Sequence, residues 1–274
     1  MELNLALFRF ATTLYLIGTV AYLLYLFIPK KWVYRSASLT LLTGFILHTG
    51  SFTSRIRMAG FPPITNLHDA LSFMAWAVIG IYLLILLKYK IRVSGAFISP
   101  LALVLMLSAY SLPKGMAPLL MPYIKSFWLP VHIILVFIGS GFFAIAFCVA
   151  IMYLIQEHQL KSKKIGKMYY SLPSLDVLDN INNRSLLWGF PLMTFGVIFG
   201  SVVSRQLRGS FIAWGTREIM TVTIWVLYAI LLHGRIYSGW RGRKVATISI
   251  IAFIVLLIAF FGANIFYGKG LRFH

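Results

Sequence analysis

Apolar segments long enough to cross a lipid bilayer follow one another along this chain, separated by shorter polar segments. A membrane-spanning helix needs about 20 predominantly apolar residues. By that measure we predict eight spans, at about residues 5–28, 36–53, 67–87, 94–111, 128–155, 186–204, 217–235 and 245–267. The sixth and seventh are short or interrupted by polar residues. The pattern predicts an all-α, polytopic integral membrane protein with about eight transmembrane helices.

Composition strengthens this interpretation. Of the 274 residues, 60% are hydrophobic and only 11% are charged, whereas a soluble domain carries about 25% charged residues. Lipid must therefore solvate much of the surface. Apolar residues continue from Leu5 to Ile28 without a small-residue cleavage site, so we interpret this segment as the first span and not as a signal peptide.

The basic residues predict how the chain is oriented. Fifteen of the 25 Lys and Arg follow spans one, three, five and seven, and the richer side of a membrane protein faces the cytoplasm. We therefore expect an inner-membrane protein whose two termini, and the loop after span six, are extracytoplasmic. The net charge of +19 predicts attraction to anionic lipid and not to nucleic acid, because no nucleic-acid motif accompanies it.

The sequence offers little of the chemistry that enzymes use. It contains no HExxH motif, Gly-rich phosphate loop, activated nucleophile or acid–base pair, so its residues do not indicate an enzyme. Cys148 is the single cysteine and cannot form an internal disulfide or a CxxC pair. The polar cytoplasmic segment 156–185 is interpreted as a solvated linker in preference to a docking site.

The histidines are the main candidates for function: His48, His68, His132, His158, His233 and His274. An ionisable residue inside a span is either functional or engaged in an interhelical hydrogen bond, and both interpretations stay open. The predicted topology puts His48, His68, His132 and His274 toward the outer side, and His233 at the inner end of span seven. Two axial ligands of one haem would therefore come from the outer set.

Haem fits this inventory better than a bare metal ion. Its iron takes neutral imidazole, its faces need apolar walls, and its propionates need cations. The outer loops supply aromatic and basic residues of these kinds, namely Trp128, Phe211, Trp214, Arg55, Arg57, Arg205, Arg208 and Arg217. The competing interpretation of the aromatic residues is an interfacial belt.

Four segments carry the pattern of a known family. They are GFPPITNLHDALSFMAW at 60–76, WLPVH at 128–132, the stretch 223–235 that contains His233, and GANIFYGKGL at 262–271. With these segments the chain resembles the CcsA/ResC/CcmC haem-handling proteins of cytochrome c assembly. The resemblance implies a single CcsA-like transmembrane domain over residues 1–274.

The tryptophan-rich external loop of that family is only partly present. The residues that match its pattern are Gly209, Phe211, Trp214, Arg217 and Glu218. The residues that stand where tryptophans or the aspartate would fall are Val203, Arg208, Ile212 and Gly215. Arg272 stands in place of the second external histidine, and His274 follows two residues later. Such departures also resemble the HemX branch, which is associated with haem biosynthesis.

The resemblance implies a set of haem contacts for a non-covalent, b-type haem. His132 would be one axial ligand, His274 or His68 the second, and His233 would belong to a transmembrane haem route. In the loop, Trp214 would stack on the ring beside Glu218. Arg208 and Arg217 would neutralise the propionates.

Partners follow from the same resemblance. A CcsB/ResB-like membrane protein and apocytochrome c are expected, with this chain at most the haem-handling subunit of a cytochrome c synthase complex. The alternative is a HemX-type regulator that acts on the level of glutamyl-tRNA reductase, with a haem-biosynthesis enzyme docked on segment 156–185. A small-molecule transporter is a third interpretation, which rests only on His48 and His233.

Overall fold

The fold is known from a computed structural model that describes residues 2–59, 66–89, 91–112, 126–163, 170–212 and 214–270. The described residues contain eight α-helices, one 3-10 turn at Arg92–Ser94 and no strand. The helices are α1 (Glu2–Phe27), α2 (Lys31–Ala59), α3 (Leu67–Tyr89), α4 (Gly95–Tyr110), α5 (Trp128–Lys161), α6 (Leu175–Arg208), α7 (Thr216–Ile236) and α8 (Arg243–Gly270). The prediction of an all-α fold with about eight helices is confirmed.

Seven of these helical segments are long and apolar enough to cross a membrane. The exception among the described helices is α2, whose central part is rich in Ser and Thr. The chain is therefore an integral membrane protein. The extracytoplasmic position of its termini stays a prediction.

The helices group into two compact units. The first comprises Met1–Ile124 with His158–Ser174, and the second comprises Lys125–Glu157 with Leu175–His274. In the first unit α1 packs on α2 and α4, and α3 packs on α4. In the second unit α7 packs on α6 and α8. The expectation of a single domain over residues 1–274 stays a prediction.

The interface between α5 and α6 is the part of the second unit that matters most for the site. The two helices are antiparallel neighbours: His132 meets Gly196, and a Cβ added at Gly139 would lie 3.0 Å from the carbonyl oxygen of Gly189. Further along, Asn182 donates a hydrogen bond of 3.0 Å to the carbonyl of Ala146. These contacts recur every seven residues on both helices, which is the spacing of left-handed coiled-coil packing.

The segment 156–185 is not a solvated linker along its whole length, so that prediction was wrong. α5 continues to Lys161, and α6 begins at Leu175 and not near residue 186. Asn182 and Ser185 are buried. These polar side chains did not indicate exposure because their hydrogen-bond partners are protein groups and not water. The amide of Asn182, for example, donates to the carbonyl of Ala146 and to the hydroxyl of Ser249.

Candidate functional site

His132 lies in the second turn of α5 and is half-buried against α6. Its Nδ1 atom lies 2.6 Å from the carbonyl oxygen of Gly196. A carbonyl oxygen only accepts hydrogen bonds, so Nδ1 carries the hydrogen of the neutral ring and Nε2 carries the lone pair. This is the arrangement of metal-binding histidines, which donate the second ring N–H to a carbonyl or carboxylate.

Two glycines of α6 allow its backbone to approach this histidine. A Cβ added at Gly200 would lie 2.7 Å from Cε1 of the His132 ring, closer than real Cβ atoms come to a neighbour. A Cβ added at Gly196 would lie 2.6 Å from a methyl group of Val136, one turn further along α5. Glycine at these two positions therefore lets α6 lie close enough to α5 for the hydrogen bond from His132 to form.

An aromatic pair lies at the same end of the two helices. Trp128, one turn before His132, stacks on Phe199, with ring centroids 4.9 Å apart and an interplanar angle of 15°. Phe127 meets the Trp128 ring edge-on at 5.5 Å. The residues next to the histidine thus supply flat apolar surface together with an imidazole lone pair.

The connection between α6 and α7 holds the tryptophan of the partly matched signature. Trp214 has a φ of 49°, an unusual conformation for a bulky residue, and 67% of it is exposed. The Trp214 ring is therefore mostly uncovered. The guanidinium of Arg205 lies 4.6 Å from the centroid of the Phe211 ring, a cation–π contact.

The remaining loop candidates are only partly defined. Glu218 lies in the first turn of α7 and is half-buried. Arg208 is the last residue of α6 and Arg217 the second of α7, but their side chains lie outside the described part of the chain. His274 also lies outside the described residues, so its role as a ligand stays a prediction.

His68 and His48 belong to the first unit, in which each is buried and hydrogen-bonded. His68 donates from Nδ1 to the carbonyl of Ala109 at 2.7 Å, and Nε2 therefore carries its lone pair. Nε2 of His48 lies 2.9 Å from Oγ of Ser72, and its Nδ1 lies 3.4 Å from the hydroxyl of Tyr15. The sequence left open whether His48 is functional or forms an interhelical hydrogen bond, and this geometry is that of an interhelical hydrogen bond.

Arg55 does not offer an isolated cation for a propionate. It lies on α2, not in an outer loop, and its guanidinium pairs with the carboxylate of Asp69 at 2.5 and 3.0 Å. The Asp69 side chain is only 1% exposed. A buried carboxylate needs such a partner because water no longer stabilises its charge, so this arginine has a structural role.

His233 lies in the last turn of α7 and is exposed. Its ring stacks on Tyr237, with centroids 4.6 Å apart. Its position at the end of the span is the one that the sequence predicted. Its part in haem transfer stays a prediction.

Sequence reasoning missed the charge pair two residues further on. Arg235 donates from Nη1 and Nη2 to the two carboxylate oxygens of Asp179, at 3.1 and 2.5 Å, and also from Nη2 to the Asp179 carbonyl. The backbone N–H of Gly242 adds a fourth hydrogen bond, to the carboxylate. The pair joins the first turns of α6 to the end of α7 and the start of α8.

The fold and the site together define a polytopic helical membrane protein that holds a neutral histidine between two closely packed spans. The chain belongs to the cytochrome c assembly protein family, whose model matches residues 64–271.

Several similar proteins have the same name. A cytochrome c biogenesis protein CcsA of Guillardia theta is 32% identical in an alignment that covers 78% of this chain and 77% of that protein. The CcsA protein of Porphyra purpurea is 30% identical, with 86% of each chain covered. That of Synechocystis is 28% identical, with 94% of this chain and 93% of the relative covered.

Proposed function

We propose that this chain handles haem for cytochrome c biogenesis and presents it on the extracytoplasmic side of the inner membrane, with His132 as an axial ligand. The family and the names of the relatives support the role in biogenesis. The single observation that carries the haem site is the hydrogen bond from His132 to Gly196. The same relatives do not favour a HemX-type regulator.

The residues around His132 fit a b-type haem carried as non-covalent cargo. Bound haem would supply an iron that takes a neutral nitrogen ligand. The hydrogen bond to Gly196 keeps the lone pair of His132 on Nε2, and stacked Trp128 and Phe199 offer an apolar surface. A carbonyl acceptor also makes the imidazole a better donor to a metal.

Partners complete the proposal. A CcsB/ResB-like membrane protein would act with this chain, and apocytochrome c would receive the haem. Trp214, uncovered between α6 and α7, is suited to contact a flat ligand or a partner. This chain would hold and orient the haem, while the bond-forming step would need the other subunit.

The first test is haem content. Wild-type protein purified after haem-replete expression should show a Soret band, and His132→Ala should lose most of it because an axial ligand is gone. His158→Ala is the matched control, since His158 lies on the same helix, is exposed and is far from Gly196. Equal haem in the wild type and His132→Ala would overturn the assignment.

The second ligand is tested in the same way. His274→Ala and His68→Ala are each compared with the wild type by the Soret maximum and by added imidazole. The variant that lacks the second ligand should change spin state and recover with imidazole. If both variants keep the wild-type spectrum, neither histidine is the second ligand.

Gly200→Ala should weaken haem binding while His132 is still present. The added methyl group would collide with the imidazole ring and displace Nε2, which we expect to lower haem affinity roughly tenfold, as loss of second-shell support does. Haem titration of the purified apoprotein measures the change.

The matched control for this methyl group is Gly50→Ala. A Cβ added at Gly50 would meet its nearest neighbour, a methyl group of Leu7, at an ordinary 3.6 Å. This control should bind haem as the wild type does. If Gly200→Ala also binds normally, Gly200 does not determine the position of the His132 ring.

A further inference from the structure

A groove runs along one face of α6 and takes no part in the proposed haem site. Its volume is about 680 Å³, and its lining includes Asn180, Asn183, Arg184, Trp188, Pro191 and Phe195. α6 is sparsely covered, since only 28% of its apolar window is buried. The groove is therefore open to whatever surrounds this span.

The two ends of the groove differ in polarity. Arg184 and two asparagines occupy one end, and Arg184 is exposed. Its Nε donates to the Oδ1 of Asn180 at 3.1 Å, which orients the guanidinium and leaves its terminal N–H groups at the surface. Trp188, Pro191 and Phe195 make the other end apolar, and all three are exposed.

The length of the groove matches one leaflet of a bilayer. Arg184 and Phe195 are eleven residues apart, or about 16 Å along a helix at 1.5 Å per residue. Half of a hydrocarbon core is about 15 Å thick. With Arg184 at headgroup level, the apolar wall would end near the bilayer midplane.

We propose that this groove binds one anionic phospholipid, with its phosphate at Arg184 and one acyl chain along Trp188 and Phe195. The guanidinium complements the negative charge of the phosphodiester, and its fork of N–H donors suits phosphate oxygens. The amides of Asn180 and Asn183 add neutral polar groups for the glycerol and ester region.

A lipid fits this groove better than the other occupants. Free phosphate would use only the Arg184 end and leave the apolar wall uncovered. A transmembrane helix of a partner needs about 30 Å of matching surface, about twice the length of the groove between Arg184 and Phe195.

The test is native mass spectrometry of the delipidated protein titrated with phosphatidylglycerol, with phosphatidylcholine, and with the water-soluble headgroup glycerophosphoglycerol. The wild type should bind phosphatidylglycerol more tightly than phosphatidylcholine and should not bind the headgroup alone. Arg184→Gln should lower the affinity for phosphatidylglycerol roughly tenfold, the loss of one charge-assisted contact. Arg184→Lys should retain part of it.

Two further variants make the result specific. Arg241→Gln removes the same charge from an exposed position outside the groove and should bind as the wild type does. Trp188→Ala should weaken the binding of both lipids, because it removes part of the apolar wall of the groove and no charge. The proposal is overturned if Arg184→Gln and Arg241→Gln lose equal affinity, or if the headgroup alone binds as well as the lipid. A photocrosslinker at Leu187 that captures a partner protein and no lipid would also overturn it.

Discussion

Arg235→Ala is expected to lower the free energy of unfolding by about 3 kcal/mol, the lower end of the cost of breaking a buried ion pair from one side, because the Asp179 side chain left behind is 21% exposed. The Arg235 side chain is only 8% exposed, and it donates two hydrogen bonds to the carboxylate of Asp179. Without Arg235, the charged carboxylate of Asp179 keeps the hydrogen bond from the backbone N–H of Gly242. Unfolding by SDS in mixed micelles, or pulse proteolysis, measures the loss.

A second ion pair on the same unit provides the control. Arg243 lies 3.9 Å from Glu157, and 69% of its side chain is exposed. Such pairs contribute about 0–1 kcal/mol, so Arg243→Ala should change stability little. Equal losses for the two alanine variants would show that Arg235 contributes only as a surface charge.

The double variant Asp179→Leu/Arg235→Met sharpens the same prediction. Replacement of both partners leaves no unpaired charge, so it should be more stable than Arg235→Ala alone. If the double variant is instead less stable than either single variant, the cost lies in lost hydrogen bonds and packing and not in an isolated carboxylate.

The other large effect is expected from Gly139→Val. A Cβ at Gly139 would already lie 3.0 Å from the carbonyl oxygen of Gly189 and 3.1 Å from the backbone nitrogen of Met193. Backbone atoms cannot move aside as a flexible side chain does, so valine must separate α5 from α6. We expect a destabilisation of about 3 kcal/mol, at the upper end for overpacked sites.

This variant should also lose haem, although it lies two turns from His132. Separation of the helices lengthens the hydrogen bond from His132 to Gly196, so both the Soret band and the stability should fall. Gly50→Val is the matched control because the only atom near an added Cβ is the end of the flexible Leu7 side chain, at an ordinary 3.6 Å, and it should change neither strongly. Normal haem binding in destabilised Gly139→Val would mean that the His132 site tolerates a wider interface.

The number and order of the helices could be predicted because a span leaves a strong local signal of about 20 apolar residues. The start of α6 could not, because residues 175–185 contain Asp176, Asp179 and three asparagines. A polar residue indicates an exposed position only when its hydrogen-bond partner is water. Here the amide of Asn182 bonds to Ala146, 36 residues away, and a distant partner leaves no local pattern.

His132 was found from the sequence, whereas the features that orient it were not. A histidine after Trp128 at the mouth of an apolar span is a visible signal. The acceptor that selects its tautomer is a backbone carbonyl 64 residues away, and any residue type has such a carbonyl. Gly200 can be read from the sequence, but only the structure shows that a side chain at this position would collide with the ring of His132.

The seven-residue repeat of contacts along α5 and α6 makes the position of the histidine a property of the whole interface. His132, Gly139 and Ala146 meet Gly196, Gly189 and Asn182 in turn, over about 21 Å of helix. A slide of one helix by a single turn would break all three contacts together, with no intermediate register that keeps two of them. The three contacts therefore fix the register of α5 against α6, and a substitution anywhere along this interface is expected to change the position of His132.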